Sequence, residues 1–369
     1  MHFDFMSATF LIITIILVVL TLLPICRYEA WWIRSLEFPR LQLFLVILTI
    51  FILELLLLDS SLIQTWGLVA IALLCLGYQA WWIVPYTRLF PVEVKTADTV
   101  DNKNRIKIIT ANVLMPNRNA KGLIALVHEY QPDILVTLES DIWWQAQLDN
   151  LETAYPYTIK CPLDNLYGMH VYSRIPLMNS QIAYLVEPDT PSMHTLALLP
   201  SGHKIRIHFL HPAPPSPTEN KESSERDAAL IITAKSVTET GIPVIVTGDL
   251  NDVAWSKTTR LFRKISRLLD PRVGRGMFNT FHANYWFLRW PLDHLFHSKH
   301  FTLRNIQRLR GFGSDHFALL TELILKSDND NTPNGLNADT DELSWANAKM
   351  NDENADKKDV PQPEKHVVG

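Results

Sequence analysis

Three long apolar runs within the first hundred residues decide most of what this chain can become. They are SATFLIITIILVVLTLLPIC (7–26), LQLFLVILTIFILELLLL (41–58) and LIQTWGLVAIALLCLGYQAWWIV (62–84). A helix needs about 20 residues to cross about 30 Å of hydrocarbon, and each run meets that length. A signal peptide accounts for the first run alone, and this one lacks a basic segment ahead of it. Three buried helices of a water-soluble core are the competing reading, but helices apolar on all sides are rare in water. The sequence therefore predicts a membrane anchor over 1–95, with spans at about 7–26, 39–58 and 62–84, in contact with a lipid bilayer.

The flanks agree. YEAWWIR (28–34) follows the first run and YQAWWIV (78–84) closes the third, so three crossings put both on one side. Trp and Tyr favour the membrane–water interface. Arg27, Arg34 and Arg40 lie between the first two spans, Arg88 and Lys95 follow the third, and the short DSS loop has no cation. The positive-inside rule then predicts a multi-pass protein of the inner (plasma) membrane, with its N-terminus outside and its large C-terminal region cytoplasmic.

Residues 101–326 alternate short β-type runs (RIKIITANV, DILVTLES, KIRIHFLH, PVIVTGDL, FALLTELIL) with helical patterns at 120–131, 226–240 and 255–270. That alternation predicts a layered α/β sandwich. This stretch has 25 Lys/Arg against 21 Asp/Glu, whereas 327–369 has 4 against 10 and few apolar residues. Such a tail is expected to be disordered. Three scattered Cys form no disulfide or metal pattern, and nothing signals an obligate protein partner.

Polar residues recur where strands stop. Asn112 ends IKIITAN, Glu139 ends DILVTLE, His211 ends IRIHFLH, and Asp249 and Asn251 end VIVTGDLN. Asp293 lies in WPLDHLF, and Asp315 and His316 precede FALL. If the strands share one edge, these ends converge on one hole. Several carboxylates in one pocket repel each other and resist desolvation. A hard divalent cation removes the conflict, and oxygen-rich ligands favour Mg²⁺ or Mn²⁺ over Zn²⁺.

The ordered series Asn112, Glu139, Gly168 with Ser173-Arg174-Ile175-Pro176, His211, Gly248-Asp249-Leu250-Asn251, Asp293-His294 and Ser314-Asp315-His316 resembles the endonuclease/exonuclease/phosphatase superfamily over about 106–325. That superfamily includes deoxyribonuclease, abasic-site endonucleases and sphingomyelinases. HPAPP after His211 and Trp255-Ser256 after the Gly-Asp-x-Asn motif look like its membrane-tethered bacterial branch. The resemblance implies a four-layered α/β sandwich, two packed sheets flanked by helices, that hydrolyses a phosphoester with a divalent metal. Under it Asn112, Glu139 and Asp315 serve the metal. Asp249 or His316, the latter paired with Asp293, activates water. Asn251 and His211 bind the phosphoryl oxygens, and Arg174 binds substrate phosphate.

Plainer readings stand beside these. Asn112 suits a turn, Glu139 suits the N-cap of a helix in ESDIWWQAQL, and Arg174 suits a surface position. Asp252 reads as a turn acid, and His170, His194, His203, His208, His282 and His294 read as structural. The substrate stays open. Lys257, Arg260, Arg263, Lys264 and Arg267, extended by Arg272 and Arg275, with Arg304, Arg308 and Arg310 just before Ser314-Asp315-His316, could form a nucleic-acid track. They could equally face anionic lipid headgroups. The two enzymes in contention are a tethered DNA or RNA nuclease and a lipid-headgroup phosphodiesterase or phosphatase. A non-catalytic scaffold predicts damage to the acid–amide–imidazole set, and the set is complete.

Overall fold

The computed structural model describes residues 5–98, 101–238, 240–326 and 336–365. Helix α1 (Phe5–Leu22) leads through the short α2 (Trp31–Arg34) to α3 (Arg40–Leu57) and α4 (Ile63–Ile83). The segments Phe5–Ile25, Arg40–Leu57 and Ile63–Tyr86 are long and apolar enough to cross a membrane. Some of their polar groups pair across helices, as where the Thr14 hydroxyl donates to buried Glu54 at 2.9 Å.

The rest of the chain builds two sheets. Strands β1 (Arg105–Asn112), β2 (Ile134–Leu138), β3 (Tyr157–Cys161) and β4 (Met169–Ser173) lie in the first, and β5 (Leu177–Tyr184), β6 (Pro191–Leu198), β7 (Lys204–Leu210), β8 (Val244–Asp249) and β9 (Asp293–His297) form the second. Strands β10 (Phe301–Arg308) and β11 (Leu319–Leu325) return to the first. The orders are β10-β11-β1-β2-β4-β3 and β5-β6-β7-β8-β9. Helices α5 (Ala120–Tyr130) and α6 (Ile142–Leu148) cover the first sheet through Leu123, Leu126, Val127 and Trp144, and α7 (Ser224–Thr238) and α8 (Lys257–Ser266) cover the second through Leu230, Ile231, Leu261 and Phe262. This is the four-layered sandwich expected from the sequence.

Strand alternation sorts the core into layers. Ile106 and Ile108 of β1 meet Ile205, Ile207, Phe209 and Ile245 between the sheets, while Ile109 and Ala111 face the helices. The inward row of β1 continues through Thr110, whose hydroxyl meets that of Thr247 at 2.8 Å across the sandwich. Its next member is Asn112. The inward rows of β7, β8 and β9 likewise end in His211, Asp249 and Asp293.

The sandwich sits directly on the linkers flanking the apolar helices. Tyr86 donates to the Ala254 carbonyl at 2.6 Å, the Trp255 indole donates to that of Glu37 at 2.8 Å, and Ser223 N–H donates to that of Glu29 at 3.0 Å. Phe38, Trp82, Ile83 and Tyr86 pack with Val253, Trp255, Val273 and Leu292.

The acidic tail departs from expectation. Helix α9 (Thr340–Asp352) starts in an Asp339/Glu342 capping box and packs on α7. Buried Lys349 donates to Asp227 at 2.6 Å and to Glu29 at 2.5 Å. Arg206 binds Glu364 at 2.9 Å. Trp345, Ala346, Met350 and Val360 supply the apolar contacts. A few well-placed side chains and the ion pairs of Lys349 and Arg206 thus hold a segment whose composition alone suggests disorder. The disorder expected at 327–335 and 366–369, and the first four residues used for the orientation rule, fall outside the described residues.

Candidate active site

Pairing geometry gathers the polar strand ends. Strands β1 and β2 run parallel with Asn112 opposite Leu138, and β7 and β8 run parallel with Leu210 opposite Gly248. Strand β9 is antiparallel to β8 with Asp293 opposite Asp249. Strand β11 is antiparallel to β1, so the turn before it meets the end of β1, where Ser314 donates to the Asn112 carbonyl at 2.8 Å. Asn112, Glu139, His211, Asp249, Asp293 and His316 therefore share one mouth of the sandwich.

Asn112 is the hub. Its Nδ2 donates to Glu139 Oε1 at 2.6 Å and to Asp249 Oδ2 at 3.1 Å, and its Oδ1 accepts from Leu114 N–H at 3.0 Å. Asp249 Oδ1 accepts from Asn251 N–H at 2.9 Å. His316 Nδ1 bonds Asp293 Oδ2 at 2.8 Å, and its Nε2 lies 3.5 Å from Asp249 Oδ2. Glu139 and Asn251 hold left-handed backbone conformations (φ 57° and 51°), a strain that tends to collect at functional sites. Asp141, not Glu139, caps α6, accepting from Trp144 N–H at 2.9 Å.

The electrostatics set these groups apart. Burial, with Asp249 and Asp315 nearby, pushes the Glu139 carboxyl up to about 7, against the Asn112 hydrogen bond. Burial also raises Asp249, which faces Asp293, although His316 opposes the shift. Burial alone would lower His316, but Asp293 and then Asp249 lift it to about 10, so it is an imidazolium at neutral pH. His211 is pushed down to about 4 by burial and stays neutral, its Nδ1 buried without a partner.

Asp315 faces the same mouth more openly, close enough to act on both Glu139 and His316. Asn251 turns its side-chain amide away, donating to the Pro212 carbonyl at 3.0 Å. In this arrangement the amide holds the loop after His211.

Arg174 is elsewhere. Strand β4 is antiparallel to β2, with Met169 opposite Leu138 and Ser173 opposite Ile134. Gly168 is thus at the mouth, and Arg174 lies six residues further along, about 20 Å at 3.3 Å per residue. There it stacks on the Tyr155 ring at 4.6 Å and donates to Gln131. The expected contact with substrate phosphate is corrected on this ground. Arg174→Ala is expected to change kcat/KM on a phosphodiester by less than about twofold. A tenfold loss in a steady-state assay would return Arg174 to the site.

Two contributors carried no sequence signal of their own. Tyr167, one residue before the motif glycine, packs its ring 5.4 Å from His211 and donates to Glu219. Phe281 packs 4.9 Å from the His316 ring. Asp252 is a buried structural acid, bonded to Ser256 at 2.5 Å and near Arg226. His294 faces the helix side, held by Arg272 at 2.6 Å and the Asp252 carbonyl at 2.9 Å.

A two-sheet sandwich with carboxylates, an amide and a carboxylate-paired imidazolium at one mouth defines the phosphoesterase-like class. The model of the Endonuclease/Exonuclease/phosphatase family matches residues 109–316, more than half of the chain, and the chain belongs to that family. Among solved structures it is similar to the human Nocturnin catalytic domain with bound sulfate, at 20% identity and TM-score 0.51, covering 62% of this chain and 97% of that one. It is also similar to D. rerio TDP2 complexed with a single-strand DNA product, at 16% identity and TM-score 0.49, covering 59% and 98%. These likenesses concern the fold. No curated protein matches the chain.

Enzymes of this family generally use divalent metals, and Asp249, Asp293 and His316 present ligand-capable atoms within 4.8 Å of one another. That trio balances part of its own charge through the His316–Asp293 pair. Glu139 accepts from the neutral Asn112 amide and also feels the cationic His316. An oxygen-rich donor set of this kind suits a hard divalent cation.

Proposed function

We propose that this chain is a membrane-anchored, divalent-metal-dependent phosphoesterase that cleaves phosphoester bonds with water. The observation that carries the reading is Asn112 Nδ2 bridging Glu139 and Asp249 while His316 faces the same Asp249 carboxylate. Glu139 and Asp315, with Asn112, would hold Mg²⁺ or Mn²⁺. Such an ion, when bound, polarises the phosphoryl oxygen and shields the leaving oxygen.

The chain's own residues do the rest. Asp249, buried and anchored through both oxygens, takes the proton of the attacking water. The water oxygen bonds to phosphorus as the bond to the leaving oxygen breaks. His316, kept cationic by Asp293, stabilises the charge that builds on the phosphoryl group. His211 offers a neutral imidazole on the same side. The apolar helices would tether the domain to the inner membrane, and the cations beside them favour its cytoplasmic face.

The cationic helix gives a nuclease little support. Arg263 is buried against Glu93 at 2.6 Å, Lys264 binds Glu342 at 2.5 Å, and Lys257 donates to the Ile25 carbonyl at 2.6 Å. Arg260 lies 4.7 Å over the Trp82 ring, and Arg272 pairs with Asp270. These five cations serve intramolecular contacts, while Arg267 and Arg304 stay exposed.

The test is hydrolysis of bis-p-nitrophenyl phosphate by the full chain in detergent, with EDTA and then with Mg²⁺ restored. EDTA is expected to stop turnover and Mg²⁺ to recover it; EDTA-resistant turnover would remove the metal from the proposal. The Glu139 shift adds a pH signature. Below about pH 7 the metal must displace a proton, so the Kd for Mg²⁺ is expected to rise about tenfold per pH unit as pH falls, and to level off above 7. Calorimetric titrations at several pH values check this, and a flat profile would contradict it.

A further inference from the structure

Residues 281–290 form a hairpin-like loop whose base touches the site and whose tip touches an apolar helix. At the base, Phe281 N–H donates to the Trp290 carbonyl at 3.0 Å, and Ala283 N–H donates to that of Asp315 at 2.6 Å. At the tip, Tyr285, Trp286 and Phe287 are 50%, 80% and 52% exposed, three consecutive aromatics turned to the outside. The tip is fixed beside the first turn of α3, where Gln42 Nε2 donates to the Phe287 carbonyl at 2.8 Å. Beyond Gln42 the same helix exposes Leu45, Val46 and Ile52.

The distance from site to span is short. The His316 ring lies 4.9 Å from Phe281, Phe281 lies 6.2 Å from Trp290, and Trp290 lies 5.8 Å from Phe38, two residues before α3 begins. Between tip and site, Arg289 and Arg308 stack on Phe317 at 5.1 and 4.6 Å.

From this arrangement we infer that the 282–290 loop is a second membrane contact, and that it sets the site over the headgroup layer so that the phosphoester it cleaves is carried by a membrane lipid. The inference rests on the phosphoesterase reading above. The occupant of the aromatic tip is the bilayer interface because the tip is continuous with the exposed apolar surface of α3. Exposed Trp, Tyr and Phe at the end of a span belong at headgroup depth, with rings in the acyl boundary. The two arginines between tip and site match an anionic headgroup. The reaction needs no further reactant: water adds at phosphorus, the bond to the leaving alcohol breaks, and the alcohol departs with a proton.

The experiment uses the full chain in phosphatidylcholine vesicles with Mg²⁺ and two esters sharing one chromogenic leaving group. Hexadecyl p-nitrophenyl phosphate partitions into the bilayer, and ethyl p-nitrophenyl phosphate stays in water. The wild type is expected to favour the membrane-borne ester by at least about tenfold in kcat/KM, since tethering to the same surface raises its effective concentration. The Y285S/W286S/F287S variant is expected to lose about tenfold on the membrane-borne ester and to stay within about twofold on the soluble one. The soluble ester also reports whether the variant is folded. An equal loss on both esters, or no loss on the membrane-borne one, overturns the inference. Cleavage of the soluble ester or of plasmid DNA without the membrane-borne ester overturns it while leaving the phosphoesterase reading standing. Cleavage of neither ester by the wild type removes that reading, and the lipid inference with it.

Discussion

Asp249→Asn is expected to lower kcat on a Mg²⁺-supported phosphodiester by ~10³-fold while leaving the fold in place, within the range removed with a positioned general base. The amide keeps the size of the carboxylate, and Oδ1 can still accept from Asn251 N–H. What is lost is the basic oxygen facing both Asn112 and His316. His316 also loses one of the three anions, Asp293, Asp249 and Asp315, that hold it cationic. Far-ultraviolet circular dichroism confirms folding, and single-turnover rates measure the chemistry. A kcat within tenfold of wild type would move the role of base away from Asp249.

Gly248→Ala is expected to destabilise the domain by about 4 kcal/mol, at the severe end of single substitutions. Gly248 sits at φ 150°, where side chains are strained, and an added Cβ would lie 1.8 Å from the Leu210 carbonyl oxygen. That close approach of β8 to β7 brings Asp249 beside His211. For a domain of this size the loss corresponds to an apparent Tm lower by about 10 °C. A thermal melt of the full chain in detergent measures it. A shift under 2 °C would mean that the strand ends can separate freely, and that the site does not depend on this backbone contact.

The opening polar residues were readable because strand periodicity is local. An inward row that switches from Ile to Asn or Asp at its last member, as at Ile108, Thr110 and Asn112, advertises a mouth where the core should continue. The three long apolar helices were equally open to reading, since length and apolarity are local too. Arg174 misled because its strand direction is not local: only the antiparallel pairing of β4 with β2 puts Gly168 at the mouth and Arg174 at the far end. The partners of the α8 cations were hidden in the same way, since Glu93 and Glu342 lie far off in sequence. The tail resisted composition because Lys349 draws its partners from Asp227 and Glu29. The 281–290 loop carried aromatic residues in plain sight, but its place between His316 and Gln42 is set wholly by tertiary contacts.

The most direct measurement follows a phosphodiester through turnover by the full chain in H₂¹⁸O with Mg²⁺, reading the product by ³¹P NMR. One ¹⁸O on the phosphomonoester, formed by the wild type and absent with Asp249→Asn, is the expected result. Label found only in the released alcohol, or undiminished turnover by that variant, would contradict water attack at phosphorus from this cluster.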